Sequence, residues 1–221
     1  MVMTRIDALI VGKRLLDHPF YATWSAGTLS REALQRYAEQ YYQWVSAFPT
    51  FLSQVHARSE DLSVRQQVLD NLVDEERGTE NHPELWMRFC DALGLDRASV
   101  PTVRRLPETT AAIERYRAIC RDEPLAGAFG ALYAYESQQP DVMRTKRLGL
   151  IEHYGVRTGH DYFIAHETVD VEHSRVEGLL VERHVGEDAS VVPAVMDSVR
   201  AGLDATYTLL DGVYDRYVKP A

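Results

Sequence analysis

Apolar residues recur at intervals of three and four along nearly the whole chain, and no stretch alternates apolar and polar residues as a β-strand would. Prolines and glycines separate the periodic stretches, and no linker is long enough to divide the chain. The spacing predicts helices over about 4–17, 30–48, 50–58, 63–77, 83–94, 107–121, 124–139, 141–154, 159–184 and 190–218. We therefore expect an all-α fold, in which a single helical domain spans residues 1–221 as a bundle.

Composition and charge limit the partners and surroundings that suit the chain. Of its 221 residues 45% are hydrophobic and 26% charged, a balance typical of a soluble globular protein. Acidic residues (33) outnumber basic residues (24), which argues against nucleic-acid and anionic-membrane partners because both normally require a basic face. The apolar run at 8–11 is too short for a signal peptide or a membrane span. The two cysteines, Cys90 and Cys120, are predicted to be small buried side chains, as expected for a cytoplasmic protein.

The predicted helix at 159–184 carries ionisable side chains on the face that should enter the core. Its inward stripe steps by four and three through Tyr162, His166, Val169, His173, Val176 and Leu180. Asp170 lies on the same face, four residues after His166 and three before His173. Burying these groups without partners is unfavourable, so either a metal ion or an internal His–Asp hydrogen bond must satisfy them. The pattern favours the metal ion.

Further ionisable residues occur on the apolar faces of other predicted helices. Glu136 lies on one such stripe, where a carboxylate is either a buried hydrogen-bond acceptor or a ligand. Glu75 lies on another, although Glu76 fits that stripe almost as well. His82 follows seven residues after Glu75, but this spacing is common by chance, and Pro83 disfavours a helical conformation at His82. Beside a His/Asp cluster, these residues are best interpreted as additional ligands.

Three carboxylates and three histidines from separate helical regions together predict a dinuclear metal site. The candidate ligands are Glu75, His82, Glu136, His166, Asp170 and His173. Ferritin-like di-iron proteins converge the same residue types from several helices of a bundle. Imidazole and carboxylate suit iron, manganese or zinc, and two ions that share six protein ligands keep positions open for dioxygen or substrate. The set therefore indicates an oxygen-activating site rather than a closed structural one.

Several segments resemble the TenA/PqqC-like superfamily, whose members have the haem-oxygenase fold. The likeness covers roughly 14–185 and is carried by His-Pro-Phe at 18–20, Gly-Thr-Leu-Ser at 27–30, the tyrosine-rich stretch at 37–42 and the segment 161–173. Within the superfamily, the six candidate ligands match the haem-oxygenase-like di-metal oxidases and oxygenases, and this match selects Glu75 over Glu76. The resemblance implies a haem-oxygenase/TenA-like helical bundle that binds two metal ions, either two irons or one manganese and one iron.

The closest resemblance is to the branch that contains the chlamydial protein associating with death domains, whose members act as 4-aminobenzoate synthases. In that branch a tyrosine of the chain itself supplies the aromatic ring and a lysine the amino group; the matching residues are Tyr21 and Lys146. The resemblance implies dioxygen as co-substrate, an external reductant and 4-aminobenzoate, a folate precursor, as product. From the residues alone, Tyr21 is equally a core aromatic and Lys146 a lysine that snorkels from the edge of an apolar stripe.

Three alternatives remain open at this point. The first is a di-iron oxygenase that acts on a free small molecule and needs neither Tyr21 nor Lys146. The second is an oxidase like pyrroloquinoline-quinone synthase, in which the ligand set would be superfluous. The third is a non-enzymatic helical binding protein with a structural polar core. A homodimer is compatible with the sequence, which identifies no protein partner.

Overall fold

The computed structural model describes residues 1–219, and this part of the chain contains α-helices, short 3₁₀ turns and no strand. The helices are α1 (Val2–Val11), α2 (Pro19–Ser25), α3 (Arg31–Arg58), α4 (Leu62–Glu76), α5 (His82–Ala92), α6 (Pro107–Asp122), α7 (Leu125–Glu136), α8 (Gln139–Glu152), α9 (Asp161–His166), α10 (Val169–Glu187) and α11 (Val192–Tyr217). The predicted all-α bundle is thus confirmed. Among the described residues, no helix combines the length and apolarity needed to cross a membrane.

Helix α7 lies at the centre of the bundle, packed between α10 and α11. Small residues occupy much of its surface, and at Gly130 an added methyl group would lie only 3.1 Å from the Val199 side chain of α11. Nearly every residue of α7 is buried, as expected for a helix that is apolar on all sides. Because α7 ends at Glu136 within the bundle, the Glu136 carboxylate lies inside the core.

Helix α3 runs without interruption through Pro49, so the predicted helix end at this proline is wrong. A proline inside a helix costs about 3 kcal/mol because it removes a hydrogen bond and crowds the preceding turn. Pro49 is itself buried, and α3 buries large side chains on both sides of it, including Trp44 and Phe51. Packing therefore outweighs the local penalty.

The helix predicted at 159–184 is broken at Glu167 and Thr168, which separate α9 from α10. The hydroxyl of Thr168 donates to the carbonyl of Ala165 at 2.9 Å, a local bond that competes with the helical ladder. Arg147 holds Glu167 in place from α8. The break redirects the chain between His166 and Asp170, so these two residues do not share one continuous helical face.

The loop that leads into α9 depends on two glycines with left-handed backbone conformations. Gly159 has φ +72° and lies against α5, where an added methyl group would be 2.6 Å from the Arg88 carbonyl oxygen; Gly155 has φ +65° and open space around it. We expect Gly155→Ala to lower the free energy of unfolding by about 1 kcal/mol, the cost of the left-handed conformation alone. Gly159→Ala should lower it by about 3 kcal/mol, because the backbone of α5 cannot yield. If urea unfolding showed equal losses of stability for Gly155→Ala and Gly159→Ala, the close packing of Gly159 against α5 would be contradicted.

Candidate metal centre

The six predicted ligands are all buried, and the structure gathers them into two groups of three. The first group comprises Glu75, His82 and His166; the second comprises Glu136, Asp170 and His173. Within each group, one potential ligand atom of every residue lies within 4.8 Å of the other two. Helices α4, α5 and α9 supply the first group, while α7 and α10 supply the second.

The first group holds two imidazoles against one carboxylate. His82 Nδ1 is 2.9 Å from a Glu75 carboxylate oxygen, yet the two are not aligned for a hydrogen bond. The His82 and His166 rings lie 4.2 Å apart between centroids. His166 Nδ1 is 2.8 Å from the Tyr162 carbonyl oxygen and must donate to it, which leaves Nε2 unprotonated and able to bind a metal. Burial lowers the pKa of His166 well below its usual value and so favours this neutral form.

Local structure explains why these residues face inward. Asn81 caps α5 by accepting a hydrogen bond from the Glu84 backbone N–H at 3.0 Å, so the helix begins at His82 despite the following proline. On α4, Glu75 is 4% exposed whereas Glu76 faces solvent. The choice of Glu75, which periodicity alone left open, agrees with this burial.

The second group is oriented by neighbouring polar side chains. His173 Nε2 lies 3.1 Å from Asp74 Oδ2, and its Nδ1 is 3.6 Å from Asp170 Oδ1, too long for a hydrogen bond. Asn71 donates its amide N–H to Glu136 at 3.2 Å. Burial raises the pKa of Asp170 well above its usual value, and burial together with the charge of Asp170 raises that of Glu136. A cation bound between these carboxyl groups would favour their ionised forms.

The donor set fits two divalent cations. Within residues 1–219, His82 Nδ1, His173 Nδ1 and Asp170 Oδ2 are buried and have no hydrogen-bond partner. Such atoms are costly to bury, and a cation between the three members of each group would satisfy them. One void of about 10 Å³, with room for one water-sized molecule, lies between the two groups. It is lined by Glu75 and His166 of the first group and by Glu136 and Asp170 of the second.

Lys146 is fully buried within a cluster of aromatic rings. Its Nζ lies 4.4 Å from the ring centroid of Tyr41, 5.4 Å from that of Tyr37, 5.5 Å from that of Tyr21 and 5.8 Å from that of Trp86. Among the described residues, its one polar contact is with the Met143 sulfur, at 3.9 Å. Burial lowers the pKa of this amine well below its usual value. The snorkelling alternative is therefore wrong, because the amine does not reach solvent.

Tyr21 is separated from the two groups of candidate ligands by the side chains of Tyr135 and Trp44. It lines a second small void together with Tyr41, Tyr135 and Trp44. Tyr135 and Trp44 also line the void between the two groups of ligands. The hydroxyls of Tyr41 and Tyr135 are 2.7 Å apart, and the Trp44 indole N–H donates to Tyr135 at 2.9 Å. Tyr135 thus connects the surroundings of Tyr21 with the candidate metal centre.

Sequence reasoning missed three polar residues of the site: Asn71, Asp74 and Glu177. Asn71 had a usable signal, because it continues the apolar stripe of α4 four residues before Glu75. Glu177 had one as well, seven residues after Asp170 and therefore on the same face of α10. Asp74 is half-exposed and had none.

Asp74 is expected to position His173 for metal binding. A carboxylate on the far nitrogen of a ligating imidazole fixes its orientation and raises its basicity, and losing it typically weakens metal affinity about 10–100-fold. We expect Asp74→Asn to weaken binding of one ion by this factor, measured by calorimetric titration of metal-free protein with Mn²⁺. Glu76→Gln, which changes an exposed carboxylate of the same helix, is the control and should bind like the parent. Parental affinity in Asp74→Asn would rule out the positioning role.

Similar proteins with curated names cover nearly the whole chain. A 4-aminobenzoate synthase of Nitrosomonas europaea is 40% identical over 96% of this chain and 91% of that protein. A 4-aminobenzoate synthase of Chlamydia trachomatis is 39% identical over 96% of this chain and 92% of that protein. A pyrroloquinoline-quinone synthase of Bradyrhizobium is more distant, at 26% identity over 91% of this chain and 79% of that protein.

Solved structures and family membership agree with this likeness. A TenA homologue from Pseudomonas syringae superposes with a TM-score of 0.82 at 16% sequence identity, covering 97% of this chain and 93% of that one. A structure from Shewanella denitrificans described as haem-oxygenase-like superposes with a TM-score of 0.77 at 18% identity, covering 98% of this chain and 90% of that one. These neighbours confirm the predicted fold. Because residues 7–214 match the TENA/THI-4/PQQC family, the chain belongs to that family.

Proposed function

We propose that this protein is a dioxygen-dependent 4-aminobenzoate synthase that uses two metal ions and consumes its own Tyr21 and Lys146 side chains. The proposal is supported by the names of the relatives at 36–40% identity, which match at least 93% of the chain. It is supported also by the two groups of buried ligands, which suit a di-iron or manganese–iron pair.

The observation that carries the proposal is the environment of Lys146. A buried, unpaired amine destabilises a fold, and a protein retains such a group where its chemistry is needed. Tyr21, at 2% exposed, is one of the rings around this amine. A neutral amine has a free lone pair and can attack an oxidised aromatic ring. The proximity of Lys146 to Tyr21 therefore suits condensation of the amine with the oxidised ring carbon, which releases the ring oxygen as water. A proton shift from Lys146 Cε to the ring, and hydrolysis of the resulting imine by that water, would leave the nitrogen on the ring and Lys146 as an aldehyde.

The chain's own residues would prepare this reaction. The two metal ions, when bound by the six ligands, would supply activation of dioxygen with electrons from an external reductant. Tyr135 and Tyr41 share a hydroxyl hydrogen bond on the way from the ligands to Tyr21 and can pass a proton between their oxygens. The buried aromatic rings around Lys146 exclude water, which would otherwise compete with the amine. Because both reacting side chains are consumed, each protein molecule would complete very few turnovers.

A free small-molecule substrate would not fit between the two groups of ligands. The void between the two groups of ligands holds about one water-sized molecule, far below the several hundred cubic ångströms of an ordinary ligand pocket. A larger cavity of about 390 Å³ lies beside His173, where a free substrate would have to bind. An oxidase like pyrroloquinoline-quinone synthase is disfavoured because the chain is only 26% identical to such a synthase. A non-enzymatic binding protein is disfavoured because buried ligand atoms would be left without a hydrogen-bond partner.

The test is formation of 4-aminobenzoate by purified protein with no organic substrate added. Protein loaded with iron, or with manganese and iron, is mixed with dioxygen and a reductant, and the product is measured by mass spectrometry. We expect product from the parent and none from Tyr21→Phe, since the ring of phenylalanine lacks the hydroxyl at the carbon that receives nitrogen. Tyr116→Phe changes an equally buried tyrosine outside the Lys146 cluster and should retain product. Undiminished product from Tyr21→Phe would overturn the proposal.

A further inference from the structure

Glu177 is a fourth buried carboxylate beside the second group of ligands. It lies on α10 four residues after His173 and seven after Asp170, so the three side chains project from one face. Glu177 is 4% exposed. Its carboxyl group lies beside that of Glu136.

No donor within residues 1–219 reaches either carboxylate oxygen of Glu177. Elsewhere in the core, buried polar side chains such as Gln40 and Gln43 are hydrogen-bonded to the backbone. A buried carboxylate without a donor is costly unless a cation or a proton occupies its oxygens. Its position next to Glu136 places that cation at the second group.

Charge balance leads to the same residue. The three carboxylates among the six ligands, Glu75, Glu136 and Asp170, leave two divalent cations with one positive charge that no ligand neutralises. Asp74, which contacts His173, is half-exposed, so solvent screens its charge. An unbalanced charge is expensive in a buried site, and ferritin-like di-iron centres use four carboxylates. Glu177 would supply the missing negative charge.

We propose that Glu177 is a seventh metal-binding residue, which ligates the ion of the second group. The inference rests on the proposed di-metal centre. Glu177 also lines the cavity of about 390 Å³ with His173, Asn71 and Asp74. The second ion would then have four protein ligands and the first ion three.

The test isolates the second group. In the double variant His82→Ala/His166→Ala the first group keeps one ligand, and calorimetric titration of this protein with Mn²⁺ reports the second group alone. Adding Glu177→Gln to this double variant should lower the Mn²⁺ affinity of the remaining site by at least about 10-fold. Adding Glu182→Gln, an exposed carboxylate of the same helix, should leave it unchanged. In the otherwise unaltered chain, Glu177→Gln should weaken one of the two Mn²⁺ sites and leave the other.

Each other outcome is informative. Equal Mn²⁺ affinities with and without Glu177→Gln would overturn the assignment of Glu177 as a ligand. Failure of the unaltered chain to bind any Mn²⁺ or Fe²⁺ would instead contradict the di-metal centre itself. Thermal unfolding of the metal-free proteins checks the fold, and glutamine should be at least as stable as glutamate there because it removes a buried ionisable group. If Glu177→Gln does unfold the chain, Glu177→Asp must weaken the same single site, and parental affinity in that variant would overturn the assignment.

Discussion

Lys146→Met is expected to abolish 4-aminobenzoate formation and at the same time to stabilise the metal-free fold. Methionine keeps the length and apolar contacts of the side chain but removes the amine, which is fully buried among the rings of Tyr21, Tyr37 and Tyr41. A lysine that is charged in the unfolded chain must lose its proton to fold into this site, at a cost of about 1.4 kcal/mol for each pH unit below a usual pKa of about 10.4. The variant should therefore be more stable than the parent at pH 7.

The pH dependence gives this prediction a definite sign. Burial lowers the pKa of Lys146 in the folded protein, so unfolding takes up a proton at any pH between the folded and unfolded values. The stability advantage of Lys146→Met over the parent should shrink as the pH rises between these two values, whereas the buried carboxyl groups near the ligands contribute equally to both proteins. Burial raises the pKa of the neighbouring tyrosines, which therefore stay protonated in this window.

Urea unfolding of the metal-free proteins at pH 7, 8 and 9 measures this effect. Lys219→Met removes an exposed lysine and should leave both the stability and its pH dependence within about 0.5 kcal/mol of the parent. A constant stability difference between the parent and Lys146→Met would show that the amine stays charged in the folded protein. It would then be unable to act as the nucleophile.

The second large effect concerns metal content. We expect His166→Ala and Asp170→Ala each to lose one ion per chain, because each removes one of three ligands from a different group. The remaining ion should stay bound, so both variants become mononuclear and inactive. Elemental analysis after anaerobic purification with Fe²⁺ measures the stoichiometry, and loss of magnetic coupling between two Mn²⁺ ions gives a second readout.

A matched control uses a histidine outside the site. His153 is exposed, and His153→Ala should retain the parental metal content. If His166→Ala and Asp170→Ala instead kept the full metal content of the parent, the two groups would not be the binding sites. Less than one ion per chain in the parent would favour a structural polar core.

Much of the site could be predicted because a buried helix face has a regular spacing. His166, Asp170 and His173 were found as ionisable residues where apolar ones belong, and all three are buried. The stripe of α4 left Glu75 and Glu76 both open, and the spacing from Glu75 to His82 is common by chance, so the family resemblance was needed to select Glu75. Spacing along the chain also cannot report which residues meet in space, so the pairing of His166 with Glu75 and His82 emerged only from the structure.

The helix predictions that the structure contradicts failed for local or for long-range physical reasons. The break at Thr168 depends on one hydroxyl-to-carbonyl bond, which periodicity does not register. On α10 Glu177 is buried and Val176 half-buried, so the face that this helix turns to the core is centred slightly away from the predicted stripe. Pro49 was expected to end a helix because its penalty is local, whereas the packing that outweighs it involves residues distant in sequence.

The origin of the product's atoms tests the central claim most directly. Protein is produced with ring-¹³C-labelled tyrosine and ε-¹⁵N-labelled lysine, purified into unlabelled buffer, loaded with metal, and allowed one reaction with dioxygen and reductant. We predict 4-aminobenzoate with a fully labelled ring and a labelled amino group, together with a chain whose peptide containing Tyr21 has lost the mass of that side chain. Product without the tyrosine label, or product that appears only when a free precursor is added, would contradict the account.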